Sequence, residues 1–254
     1  MPGILDGKMA VIAGIANKWS LAFGIAESFA REGASLVLTY LNDKQRETIE
    51  SIVGHLPVVK LIPCDVSNDE EITALTGHLR ELGRPIDALV HSLAFANRED
   101  LGRPFVETDR DGFLLAQSIS AYSLVAMSRA VAPLMTEGGS ITTLTYLGSI
   151  RVRPNYNVMG VAKAALEASV RYLANDLGPS GIRVNAISAG AVKTASARAV
   201  KDLVVMLEAT KEHSPLRHVT EAGEVGDTAA FLASRLGRGI TGNVLFVDSG
   251  MQLL

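Results

Sequence analysis

Three side chains offer the clearest chemistry in this sequence: Tyr146 in the run TLTYLG, and Tyr156 and Lys163 in PNYNVMGVAKAALEASVRYLANDLG, residues 154–178. Tyr156 and Lys163 are seven residues apart, so on a continuous helix they share one face to within about 20°. A phenol near an ammonium suits hydrogen bonding to an oxygen on which negative charge develops, with the cation favouring that charge. One turn before Lys163 the chain has Met159, which cannot transfer a proton. A packing Tyr and a surface Lys fit the same spacing, so the pair needs a context.

The surrounding pattern supplies one. Apolar, β-rich runs at 8–14, 34–40, 58–66, 86–95, 139–148, 182–190 and 242–250 alternate with helical stretches at 20–33, 43–56, 69–83, 111–135 and 222–234, and with a helix that contains Tyr156 and runs to about residue 177. A polar loop is expected at 97–110 and an irregular, partly helical insertion at 191–215. Strands separated by helices of this length demand right-handed crossovers and a parallel sheet. The expected fold is a single doubly wound Rossmann-type α/β domain over residues 1–254, seven parallel strands with helices on both faces. Tyr146 then ends the fifth strand, ten residues before Tyr156, facing the cleft at the sheet's carboxyl edge.

Ligands of such sheets bind at that edge, where strand order reverses. The first turn, AGIANKWSLAFG, lacks G-x-G-x-x-G and offers Gly14, Ser20 and Gly24 instead. Gly14 allows a tight turn and close approach to a pyrophosphate. Ser20 stands where the helix begins, to cap amides or meet a phosphate oxygen, and Gly24 lets the helix lie close on the sheet. An ordinary strand–loop–helix connection fits this loop equally well. Later strand ends add weight: Asp65 and Val66 for an adenine, Ser92 and Ala94 where a cofactor crosses, and Ala191, Val192 and Thr194 for a carboxamide. The second strand exits through Leu41 and Asn42, followed by Asp43. No basic residue stands at the exit itself, although Lys44 and Arg46 follow, and this favours NADH over NADPH.

Composition narrows the class. The chain has 254 residues, 48% of them hydrophobic, and a net charge of −3; its pI is near 6.0 and its mean hydropathy +0.23. Nucleic acid and anionic membranes are disfavoured as partners. Cys64 is the sole cysteine, and the five histidines show no ligand spacing, so no metal site is expected. Asp6 and Lys8 interrupt the start where a signal peptide needs an apolar run, so a cytoplasmic protein is expected.

These residues resemble the short-chain dehydrogenase/reductases over essentially the whole chain, and most closely the type I enoyl-acyl-carrier-protein reductases. The resemblance is carried by Gly14, Ser20 and Gly24, by TYLND, CDV, HSLAFA, YLGSIRVRPNYNVMGVAKAALEASVRYLA and GIRVNAISAG, and by Tyr146, Tyr156 and Lys163 with Met159 between. It implies NADH-dependent reduction of trans-2-enoyl thioesters on an acyl-carrier protein in fatty-acid synthesis, by a homotetramer. It assigns catalysis to Tyr146, Tyr156 and Lys163. Cofactor contacts fall to Gly14, Ser20, Leu21, Leu41, Asp65, Val66, Ser92, Leu93, Lys163, Val192, Thr194, Ala195 and Ser196, and substrate contacts to Ala96, Tyr146 and Tyr156. It makes 191–215 a substrate-binding loop, though its apolar residues also suit plain core. Ordinary carbonyl reductases of the superfamily have the acid Tyr where Met159 stands here. A phenol one turn further away is consistent with a thioester oxygen lying further from the carbon that takes hydride. A silent dinucleotide sensor and an enoyl reductase outside lipid synthesis remain as alternatives.

Overall fold

A computed structural model describes residues 2–192 and 203–254 of the chain, without the side chains of 203–206. Seven parallel strands, β1 (Met9–Ala13), β2 (Ser35–Tyr40), β3 (Val58–Pro63), β4 (Ala88–His91), β5 (Gly139–Thr145), β6 (Ile182–Ala189) and β7 (Val244–Val247), pair in the order β3-β2-β1-β4-β5-β6-β7. The chain therefore winds outward from β1 to β3, returns past β1, and winds the other way through β7. The reversal between β1 and β4 opens a crevice at the carboxyl edge.

Both sheet faces are covered, and the side-chain alternation of each strand divides between them. Met9, Val11, Ala13, Val37, Leu89, Ile141 and Val184 join one core with α3 (Asp69–Arg80), α6 (Ser123–Val131) and α7 (Asn157–Leu177). Ala10, Ile12, Leu36, Leu38, Val90 and Ile187 join the other with α1 (Leu21–Arg31), Ile49 of α2 (Asp43–Ile52), and α9 (Ala222–Ala233). This two-sided burial is why the strands read as continuous apolar runs.

Three expectations change. The polar loop at 97–110 contains a short helix, α4 (Arg98–Gly102), ordered by the buried Asp100, which accepts from Arg103 and from Asn97. The expected helix at 111–135 is α5 (Arg110–Gln117), a π-helical turn (Ser118–Tyr122), α6 and a 3-10 turn (Ala132–Leu134). Such π turns are single-turn distortions; here the buried Ser120 hydroxyl accepts from the Phe95 amide, and Ser123, which opens α6, donates back to the Ile119 carbonyl of the turn. The third, fourth, fifth and seventh strands also stop early, at Pro63, His91, Thr145 and Val247. Within the 191–215 insertion, α8 (Leu203–His213) is helical.

Candidate active site

At the nucleotide end, Gly14 leaves β1 with φ +105°, a conformation that L side chains rarely adopt. A Cβ there would overlap the Ser92 carbonyl, so Gly14 lets the ends of β1 and β4 close on each other. Ser20 precedes α1 as its N-cap residue, but its hydroxyl donates to the Asn17 carbonyl at 2.7 Å and caps no amide. Gly24 faces not the sheet but α9: a Cβ on it would lie 2.7 Å from that of Ala222. Val66 and Leu93 pack on one core and Leu21 on the other, on opposite sides of the edge. Asp65, past the end of β3, accepts from the Ser67 amide at 2.8 Å and hydroxyl at 2.7 Å. Leu41 is exposed just beyond β2. Val192 is buried after β6, whereas Thr194, Ala195 and Ser196 lie outside the described residues.

At the other end, Tyr146 and Tyr156 meet edge to face, ring centroids 5.1 Å apart and planes at 70°. Gly148 makes that possible: a Cβ on it would stand 2.5 and 2.7 Å from two Tyr156 ring carbons and 3.2 Å from the Tyr146 ring. Tyr156 is not inside the helix, as the two-turn spacing assumes. It is the residue before α7, held between Asn155 at φ 59° and Asn157 at φ 24°. Backbone of this kind persists only where its surroundings enforce it, and Asn157 Nδ2 donates to the Arg103 carbonyl at 2.5 Å, tying the turn to the end of α4. Burial, then Tyr146 and Glu167, raise the Tyr156 phenol above its ordinary range, so it stays a hydrogen-bond donor. Burial raises Tyr146 too, with Arg153 opposing.

Lys163 is 6% exposed, and its Nζ donates to the Leu144 carbonyl at 2.8 Å. Burial brings its pKa down to about 8, against the opposing pull of Glu167. Glu167, one turn on and also buried, accepts from the Thr145 hydroxyl at 2.6 Å. His91 closes the network: one ring nitrogen meets Thr143 Oγ1 at 2.9 Å and the other Ser123 Oγ at 2.7 Å. Burial, aided by Lys163, pushes it down to about 3, so it is neutral. Ala96 follows Phe95, whose amide donates to Ser120 Oγ at 2.9 Å and whose carbonyl accepts from it at 3.0 Å.

The edge thus brings Tyr146, Tyr156 and Lys163 together around the end of β5. Leu41 and Asp65 lie at strands three and four places away. Sequence reading passed over His91, Ser120, Gly148, Asn157 and Glu167. Of these, Glu167 carried a signal, a carboxylate at i+4 from Lys163 on a helix face that is otherwise largely apolar.

The profile of one family, enoyl-(acyl carrier protein) reductase, matches residues 14–252. The chain is 53% identical to an enoyl-[acyl-carrier-protein] reductase [NADH] of Bacillus cereus, covering 99% of each. It is 48% identical to an enoyl-[acyl-carrier-protein] reductase [NADPH] of Staphylococcus aureus, covering 98% of each. The enoyl-(acyl-carrier-protein) reductase of Anaplasma phagocytophilum, solved with NAD, superposes with a TM-score of 0.94 at 43% identity, over 100% of this chain and 95% of that one. With that sheet, that crevice and that tyrosine pair, the chain belongs to the enoyl-acyl-carrier-protein reductase family.

Proposed function

We propose that the protein reduces the C2–C3 double bond of trans-2-enoyl chains carried as thioesters on an acyl-carrier protein, in the elongation cycle of fatty-acid synthesis. The observation that carries this is the Tyr146–Tyr156 pair seated over Gly148, with buried Met159 where a carbonyl reductase would place its acid. NADH, when bound, supplies the hydride to C3. The residues present suit it: Gly14 clears the floor of the crevice, the Ser20 hydroxyl leaves the first α1 amides uncapped, and no basic residue stands at Leu41 or Asn42.

The chain's own part is electrostatic. The Tyr156 phenol donates to the thioester oxygen and stabilises the enolate until C2 takes a proton. Lys163 spends one N–H on Leu144, which leaves two for the ribose hydroxyls beside the nicotinamide. Tyr146 backs the Tyr156 ring and lines the acyl pocket with Ala96. Gly14, Ser20, Leu21, Leu41, Asp65, Val66, Ser92, Leu93, Val192, Thr194, Ala195 and Ser196 hold the cofactor. Residues 1–254 act as one domain, in which 191–215 is the substrate-binding loop.

Exposed apolar side chains along α5, α7 and their flanks, Leu114, Tyr172, Val106 and Val152, support assembly as a homotetramer. No helix among the described residues is long and apolar enough to cross a membrane, and we place the enzyme in the cytoplasm with its carrier-protein substrate. The test is nicotinamide absorbance with crotonyl and acetoacetyl thioesters, each with NADH and NADPH. Oxidation of NADH by crotonyl thioester alone is the expected result. Activity on the acetoacetyl thioester alone makes the protein a carbonyl reductase instead.

A further inference from the structure

Dinucleotide sites of this architecture that select NADH place an acidic side chain at the end of the second strand, where it accepts from the ribose 2′-hydroxyl. This chain has Leu41 there, 53% exposed and unable to make a hydrogen bond through its side chain. The acceptor has to come from elsewhere, and the geometry points to Gln45: we infer that its carboxamide reads the adenosine ribose and is the specificity-determining residue for NADH over NADPH. This inference rests on the reductase reading above.

Gln45 stands at the third position of α2, half-buried, and its side chain reaches back to the loop after β1. Its Nε2 donates to the Ile15 carbonyl at 2.9 Å, in the loop that follows Gly14, and its Oε1 accepts from the Leu41 amide at 2.6 Å. Those two partners fix which end of the carboxamide is oxygen. They also place it between the loop after β1 and the exit of β2.

One N–H and one lone pair of the carboxamide remain. A ribose hydroxyl is both donor and acceptor and can use both. A 2′-phosphate dianion cannot donate, so it would face the Oε1 lone pair. It would also find the Leu41 amide, a natural anion ligand at this turn, already spent. Charge points the same way: Asp43 opens α2, and Arg46 is drawn to Glu50 at 2.8 Å and lies over the Tyr40 ring.

Gln45 also resembles part of a helix-start device, because Asn42 Oδ1 accepts from the Gln45 amide at 3.0 Å. A purely structural role predicts equal damage with both cofactors. The experiment is steady-state kinetics on crotonyl thioester with NADH and with NADPH for wild type, Gln45→Met and Gln45→Glu. Gln45→Met keeps length and helix propensity but removes both polar atoms. It is expected to raise KM for NADH roughly five- to tenfold, the loss of about one neutral hydrogen bond, and to leave KM for NADPH unchanged or lower. Gln45→Glu keeps an acceptor towards the ribose and is expected to hold or sharpen the NADH preference, which tests the inference even if Gln45→Met folds poorly. Equal losses with both cofactors, an unmoved ratio in Gln45→Met, or a gain of NADPH use in Gln45→Glu would overturn it. Failure of the reductase reading looks different, since wild type would then oxidise neither cofactor with crotonyl thioester.

Discussion

The two ends of the crevice are built in opposite ways. At the nucleotide end, apart from the reach of Gln45 to Ile15, side chains bond to backbone a few residues away: Asn17 to the Trp19 amide, Asn42 to that of Gln45, Asp65 to that of Ser67. At the chemical end the partners are remote in sequence and mostly buried. Lys163 reaches Leu144, Glu167 reaches Thr145, Ser120 brackets Phe95, His91 joins Thr143 to Ser123, and Asn157 holds Arg103. Local bonds shape a turn by themselves and leave it open to solvent and ligand. Long-range buried bonds require the whole sheet to be assembled first, and they hold their side chains where water does not compete.

That contrast breaks most visibly at Tyr156. In the proposed mechanism, replacing Tyr156 with Phe removes one donor to the developing oxyanion, and it is expected to lower kcat about 10²- to 10³-fold, with KM for NADH little changed. Turnover at the wild-type rate would remove Tyr156 from the chemistry altogether. Gly148→Ala leaves every polar group in place but forces the Tyr156 ring to move. Its expected cost is roughly 10- to 100-fold in kcat, the scale of a small misplacement, again without weaker NADH binding; a shift in KM for NADH alone would place Gly148 in the wrong half of the comparison.

The buried ammonium gives a prediction in pH. Lys163 titrates near 8 in the fold, below its ordinary 10.5, so kcat should fall as pH rises through about 8 and the charge is lost. Stability moves the other way. Between about 8 and 10.5 the unfolded chain binds the proton that the folded one has released, so this group's contribution to folding improves as pH rises. Profiles of kcat and of denaturant midpoint on one sample separate the two, and a kcat that stays level across that interval would mean Lys163 is not needed charged. The smallest effect belongs to Gly24→Ala. Overpacking α1 against Ala222 should cost about 1–3 kcal/mol of stability, seen as a lower Tm, and leave kcat at wild type. Lost turnover in a folded Gly24→Ala would show that the nucleotide end is coupled to the chemistry after all.

Much of this was legible before any coordinates. Apolar runs alternating with helical periods specify strands buried on two faces, because no other packing hides such runs. Met159 one turn before Lys163 distinguished the reaction type, because a thioether has no proton to give. Other readings failed for identifiable reasons. Tyr156 appeared to lie in a helix because spacing is blind to dihedral angles, and two asparagines at positive φ hold it outside. Gly24 was assigned to the sheet because its real neighbour, Ala222, is almost two hundred residues away. The helix at 111–135 was read as continuous because a π turn leaves no period-breaking Gly or Pro behind it.

By itself, then, the sequence determined what is periodic or chemical: a parallel α/β sheet, a glycine where β1 must turn, a phenol and an ammonium, and no basic residue at the exit of β2. The tertiary structure alone decided what depends on contacts between distant residues. These are the strand order that opens the crevice at β1 and β4, the buried environment that keeps Tyr156 a donor and brings Lys163 near neutrality, the Gly148 floor, and the reach of Gln45 between two loops. Propensity and pattern act over a few residues along the chain, whereas burial and hydrogen-bond partnership are set by neighbours that only folding brings together.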